Sequence, residues 1–90
     1  MNPFPYCLTA CEDRDDFLDG KKFITVYLNT SEIVCVKFVD YDVKDYAVIV
    51  MSNNRWLFIA YDTAESLVKW MMSQSDLPRK IQFQEVVVTK

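Results

Sequence analysis

From Phe23 onward, apolar and polar residues alternate with a period of two, broken by short polar stretches. Phe23 to Leu28 is rich in β-branched and aromatic residues, with Ile24, Val26 and Leu28 on one face, and this predicts a strand. Asn29-Thr30-Ser31 is turn-forming, and a second strand is expected over Glu32 to Val39. There Val34, Val36 and Phe38 oppose Cys35 and Lys37. Asp40 to Asp45 reads as a charged loop. Tyr46 to Met51 and Arg55 to Tyr61 are apolar on both faces, which predicts two strands lying centrally in a sheet. Asn53-Asn54 between them signals a two-residue hairpin turn, because asparagine tolerates positive φ. A last strand is expected over Lys80 to Thr89. Ile81 and Phe83 share a face that Glu85 then interrupts, so the pattern calls for a bulge near Gln84-Glu85 or an exposed edge.

The period changes to 3.6 between these strands. Ala64, Leu67, Val68 and Met71 form an i, i+3, i+4, i+7 stripe that Trp70 and Met72 widen. Asp62, with Glu65 three residues on, is the expected cap, and Gln74 to Pro78 the expected end. A shorter helix is predicted over residues 9–20: Thr9 and Glu12 have capping-box spacing, and Gly20 suits a C′ stop. The order α-β-β-β-β-α-β predicts a single α+β domain over residues 1–90. It consists of a mostly antiparallel five-stranded sheet, one well-defined amphipathic helix packed on it, and a short N-terminal helix.

Composition supports a self-sufficient core, since 51% of the 90 residues are hydrophobic. No run approaches the roughly 18 apolar residues of a membrane span. Met1 to Ala10 lacks a positive region and is broken by Pro3 and Pro5, so neither a signal peptide nor a membrane location is expected. A cytoplasmic setting with reduced Cys7, Cys11 and Cys35 follows as the expectation. The net charge of −3 is unevenly placed. Glu12, Asp13, Asp15, Asp16 and Asp19 face only Arg14 within residues 1–20, whereas the remainder is close to balanced.

Candidate chemistry is sparse. The chain has no histidine and one glycine, which removes the usual proton shuttle and commonest metal ligand together with glycine-rich phosphate loops. Cys7 and Cys11 stand four apart, but three sulfurs without an imidazole do not complete a zinc site, and Cys35 has no histidine to activate it. Small residues packing the first helix is the simpler reading of the cysteines. Asp40-Tyr41-Asp42 with Asp45 departs from a calcium loop: its sixth position holds Asp45 where glycine is needed, and its twelfth holds Met51. No metal or cofactor is therefore expected, and no enzymatic activity.

What remains points to binding. The expected function is a non-enzymatic interaction module, a small regulator, inhibitor or adaptor that engages a larger protein. The expected contact residues are Glu12, Asp13, Asp15, Asp16 and Asp19, meeting a basic surface, with Trp56 and Trp70 as apolar anchors. Val86, Val87 and Val88 on the final strand add a route to an edge-to-edge homodimer. In composition the chain is similar to the small accessory proteins of large bacteriophages, which bind host factors; no motif carries that likeness. The alternative is a single-stranded nucleic-acid binder that stacks bases on Tyr27, Tyr46, Trp56 and Phe58 beside Lys37, Arg55 and Lys80. Against it stand the missing basic footprint and the absence of a glycine-aromatic RNA-binding motif.

Overall fold

The computed structural model describes residues 6–42, 44–73 and 81–88. It is α+β, with six strands in two sheets and one main helix. Strands β1 (Tyr6–Ala10) and β2 (Ile24–Leu28) form an antiparallel ribbon in which Tyr6 faces Leu28 and Ala10 faces Ile24. The second sheet has the order β5-β4-β3-β6, built from β3 (Ile33–Tyr41), β4 (Tyr46–Met51), β5 (Trp56–Ala60) and β6 (Gln82–Val88). One antiparallel bridge joins the sheets. The Cys11 N–H donates to the Phe58 carbonyl at 2.9 Å, and the Phe58 N–H returns the bond at 2.8 Å.

This corrects the expected single five-stranded sheet. β6 pairs with β3 in parallel, so the four-stranded sheet is mixed. The cause is the connection: helix α2 (Tyr61–Met72) carries the chain from β5 across β4 and β3 before β6 begins. A crossover of this kind delivers a parallel strand, whereas the tight turns earlier in the chain deliver antiparallel ones. β4 lies centrally as its two apolar faces require, but β5 is an edge of its own sheet. Its apolar character is used by the Cys11 bridge and by the cores on both sides.

The N-terminal helix is also shorter than expected. Residues 6–10 are a strand, with Leu8 and Ala10 buried and Cys7 and Thr9 exposed, so Thr9 caps nothing. Helix α1 spans only Arg14–Asp19. The Asp13 carboxylate caps it by accepting from the Asp16 N–H at 3.1 Å. Gly20 does close the helix: at φ 73° its N–H donates to the Phe17 carbonyl, while the Lys21 N–H donates to that of Asp16 at 2.8 Å. These paired bonds make a Schellman stop that a left-handed residue permits.

Smaller departures have local causes. β3 runs on to Tyr41, whose N–H is held by the Asp45 carboxylate at 3.2 Å, so the charged loop begins later than Asp40. A register shift between Ile33 and Cys35 turns Val34 outward, 44% exposed, and puts Cys35 and Val36 inside. The β4–β5 turn uses three residues, Ser52 to Asn54. Asn54 sits at φ 69°, and its N–H donates to the Met51 carbonyl at 2.9 Å. α2 begins one residue before Asp62 and has no side-chain cap; Asp62 instead sits in the first turn, where its charge suits the dipole. The register of β6 against β3 is unbroken from Cys35–Gln82 to Tyr41–Val88, so the interrupted pattern reflects an exposed edge and no bulge. The expected end of α2 at Gln74 to Pro78, like Lys80, lies outside the described residues.

The two faces of the mixed sheet are covered unequally. On one, Ala64, Leu67 and Met71 of α2 are fully buried against Leu57, Ile59, Ile49 and Val36, with Leu8, Val26 and Leu28 of the ribbon closing the end. Each large side chain buried there contributes about 1.5–3 kcal/mol. Met72, expected on this stripe, is 64% exposed. Among the described residues the other face carries only α1, six residues long, anchored by Phe17. They leave most of that face open.

Candidate functional site

The open face is a groove of about 450 Å³. Period two along each strand decides its lining. Val39 and Lys37 from β3, Val48 from β4, Trp56 and Phe58 from β5, and Val86 and Val88 from β6 all point to the same side. Val39 and Val48 are buried and form the floor, Phe58, Val86 and Val88 are half-buried, and Trp56 is 43% exposed at the end of β5. The Lys37 ammonium lies 4.6 Å from the centroid of the Trp56 ring. That cation–π contact holds the indole in place while leaving much of its surface to solvent.

One wall of the groove is charged, with two carboxylates against one guanidinium. Asp13, Arg14 and Asp15, at the start of α1, complete the lining. Arg14 lies 3.7 Å from Asp15, and both side chains are largely in solvent, so their mutual attraction is weak. Phe17 sets this wall: it is 2% exposed and packs 6.0 Å from Tyr46 and 5.9 Å from Phe23, with the Lys44 ammonium 4.7 Å from its ring. A second tie comes from Arg55, whose Nε and Nη2 donate to Glu12 Oε2 at 3.1 and 2.9 Å. This pair joins the start of β5 to the segment between β1 and α1.

The expected contact residues divide accordingly. Asp13, Asp15 and Trp56 meet at the groove. Glu12 lies beside it but is engaged by Arg55. Asp16 and Asp19 do not line the groove; Asp16 is half-buried and Asp19 stands at the far end of α1. Trp70 belongs to the opposite face, half-buried against Tyr6 with ring centroids 5.1 Å apart. Arg14 of α1 and strand positions in Lys37, Val39, Tyr46, Val48, Phe58, Val86 and Val88 supply the rest. Alternation within each strand was visible in the sequence, but their convergence depended on knowing that β6 docks beside β3.

The aromatic set of the nucleic-acid alternative is only partly available for stacking. Tyr46, Trp56 and Phe58 share the open face, but Tyr46 is buried 6.0 Å from Phe58, and Tyr27 is 70% exposed on the separate ribbon. Lys37 is engaged with Trp56 and Arg55 with Glu12.

The three cysteines are free thiols. Cys7 is exposed on β1, Cys35 is buried in β3, and Cys11 is buried beside α1. The Cys11 S–H donates to the Lys21 carbonyl at 3.2 Å. Burial, and then the Asp16 and Asp13 carboxylates, push its thiol above the ordinary range, with Lys44 opposing. Packing against the first helix thus describes Cys11 but not Cys7. A second acidic group lies at the far end of the sheet: Asp40 shares a hydrogen bond with Asp45. That bond, then the Asp45 charge, raises the Asp40 carboxyl above its usual range. Among the described residues no three His, Cys, Asp or Glu side chains converge as a metal site, and no helix is long and apolar enough to cross a membrane.

Comparison with protein-family models, with characterised proteins and with solved structures finds no match to this chain.

Proposed function

We propose that the chain is a non-enzymatic protein-interaction module whose docking site is the groove between α1 and the open sheet face. The observation that carries this reading is the pairing of an apolar floor with a charged wall on which Asp13 and Asp15 outnumber Arg14. Val39, Val48, Phe58, Val86 and Val88 offer a continuous apolar strip, Trp56 stands proud at one end, and Asp13 and Asp15 border it. The complementary ligand is a protein segment with apolar side chains and at least one lysine or arginine placed to meet the carboxylates. Apolar contact supplies the affinity, with Trp56 as the anchor; the carboxylates supply orientation and encounter rate.

The wall also weighs against the nucleic-acid reading. A strand crossing Trp56 and Phe58 brings its phosphates toward Asp13 and Asp15, while Lys37 and Arg55 are already engaged. Salt-dependent attraction to phosphate needs free cations at the binding face.

The test is a photo-crosslinking amino acid placed at position 56 and, as a control, at Tyr27, which is more exposed but lies outside the groove. The expected result is one stoichiometric protein adduct at position 56, absent at position 27, insensitive to nuclease, and lost when Asp13 and Asp15 are replaced by lysine. Identical adducts at both positions, or adducts to nucleic acid, refute the proposal.

A further inference from the structure

The outer edge of β6 is a different kind of surface, and its reading does not depend on the groove. β6 is seven residues long, pairs with β3 along its whole length and, among the described residues, has no strand on its other side. Among those residues its outward backbone groups therefore form a row with no strand partner. Proteins usually blunt such edges with lysine, proline, a bulge or extreme shortness. Gln82-Phe83-Gln84-Glu85-Val86-Val87-Val88 contains no lysine, arginine or proline, and its register is unbroken. Three β-branched residues end it. Phe83 is 41% exposed, Val87 70%, and Met72 of α2 64% on the neighbouring rim. Glu85 is the only charge in the strand of a chain with ten basic and thirteen acidic residues, so two copies meet here with little repulsion.

From this we infer that β6 pairs antiparallel with β6 of a second copy, extending the mixed sheet across a two-fold axis centred on Val86. Symmetry limits the register. An axis perpendicular to the sheet must place each residue opposite one whose side chain lies on the same face, so the axis passes through a residue paired with its own twin. Centring on Glu85 sets two carboxylates directly opposite each other, which is destabilising. Centring on Val86 places Val86 against its twin, Glu85 against Val87, and Gln84 against Val88. Every like-charge pair disappears. On the groove side, Val86 and Val88 of both copies then lie in one row, so the two apolar floors become continuous. In this register Gln84 to Val88 overlap, a strip about 17 Å long at the usual rise per residue, well short of a standard interface, so a weak, reversible dimer is expected.

The register makes the effect of charge at position 87 depend on sign. Val87→Glu sets glutamate opposite Glu85 twice per dimer, and Val87→Lys sets lysine there instead. Sedimentation velocity on the full chain up to roughly 500 µM is expected to show a wild-type dimer. Val87→Glu should weaken it about tenfold, whereas Val87→Lys should leave it as tight or tighter. Asp40 lies across from Val87 on β3, so melting curves of both variants establish that each is folded. Independently of those variants, Val86→Cys in a Cys7→Ser background should form an intermolecular disulfide under mild oxidation, and Glu85→Cys should not. A wild-type monomer throughout, equal weakening by both charges, or preferential crosslinking through position 85 overturns the inference.

Discussion

Replacing Phe17 with alanine separates a wall held by one buried ring from a helix that stands unaided. α1 has six residues, far below the roughly 12–15 at which an isolated helix becomes even marginal in water. Its capping by Asp13 and its Schellman stop at Gly20 shape the ends but do not bind it to the sheet. Phe17 does that, at 2% exposure, with Tyr46, Phe23 and the Lys44 ammonium around its ring. Truncating a buried phenylalanine costs about 3–5 kcal/mol, and the aromatic contacts account for about 0.5–1.5 kcal/mol of it. The site is at the margin of the protein, where neighbours can relax inward, so about 3 kcal/mol is the expected loss. A domain of this size has roughly 5–13 kcal/mol in total, and its melting temperature should fall by about 12–24 °C. Urea unfolding followed by tryptophan fluorescence and circular dichroism reads both quantities, and Phe17→Leu should recover more than half of the loss. A drop below about 1 kcal/mol for Phe17→Ala refutes the argument, because it means that the wall of the groove is not anchored through this ring.

Gly20→Ala should cost about 1–2 kcal/mol in chemical denaturation, because φ 73° is strained for alanine while its Cβ meets nothing within 4 Å; Gly20→Asn should cost less. Asp40→Asn is expected to stabilise the protein at neutral pH. The raised Asp40 carboxyl means that the folded state binds this proton more tightly than the unfolded chain, so its contribution is present below the ordinary carboxylate value and lost as pH rises through the folded one. Melting curves at several pH values should therefore show the variant's advantage shrinking as pH falls toward about 4 and changing no further below it. With iodoacetamide and mass spectrometry, the exposed Cys7 should label at once, whereas the buried Cys11 and Cys35 should label only on unfolding.

The strands from Ile24 to Ala60 were legible because each is a short run rich in β-branched and aromatic residues bounded by a polar or charged turn. β4 matches its expected limits of Tyr46 and Met51. Tyr6–Ala10 was misread for a physical reason. Thr9 and Glu12 imitate a capping box, and five residues of alternation in Leu8 and Ala10 are too short to outweigh it without sight of the partner strand β2. The true cap, Asp13, had the same chemistry four residues later. Parallel docking of β6 was not legible: a strand after a helix carries no local mark of which neighbour it will join. That gap hid most of the candidate site, since Val86 and Val88 meet Val39 only through that pairing. Trp56 and Trp70 were both expected as apolar anchors, but Trp70, which widens the helical stripe, is half-buried with Tyr6 instead. Pattern alone does not tell such residues apart.

The single rung between Cys11 and Phe58 has a mechanical consequence. Among the described residues two hydrogen bonds are the backbone pairing of the ribbon with the larger sheet, backed by the packing of Leu8, Ala10, Val26 and Leu28. A joint with one rung behaves as a pivot. Twisting of the ribbon about it would carry along the stretch from Glu12 to Asp19, and with it the width of the groove beside Trp56. Pulled from the Tyr6 end, the molecule should yield first at this joint, leaving the four strands and α2 behind as the sturdier remnant.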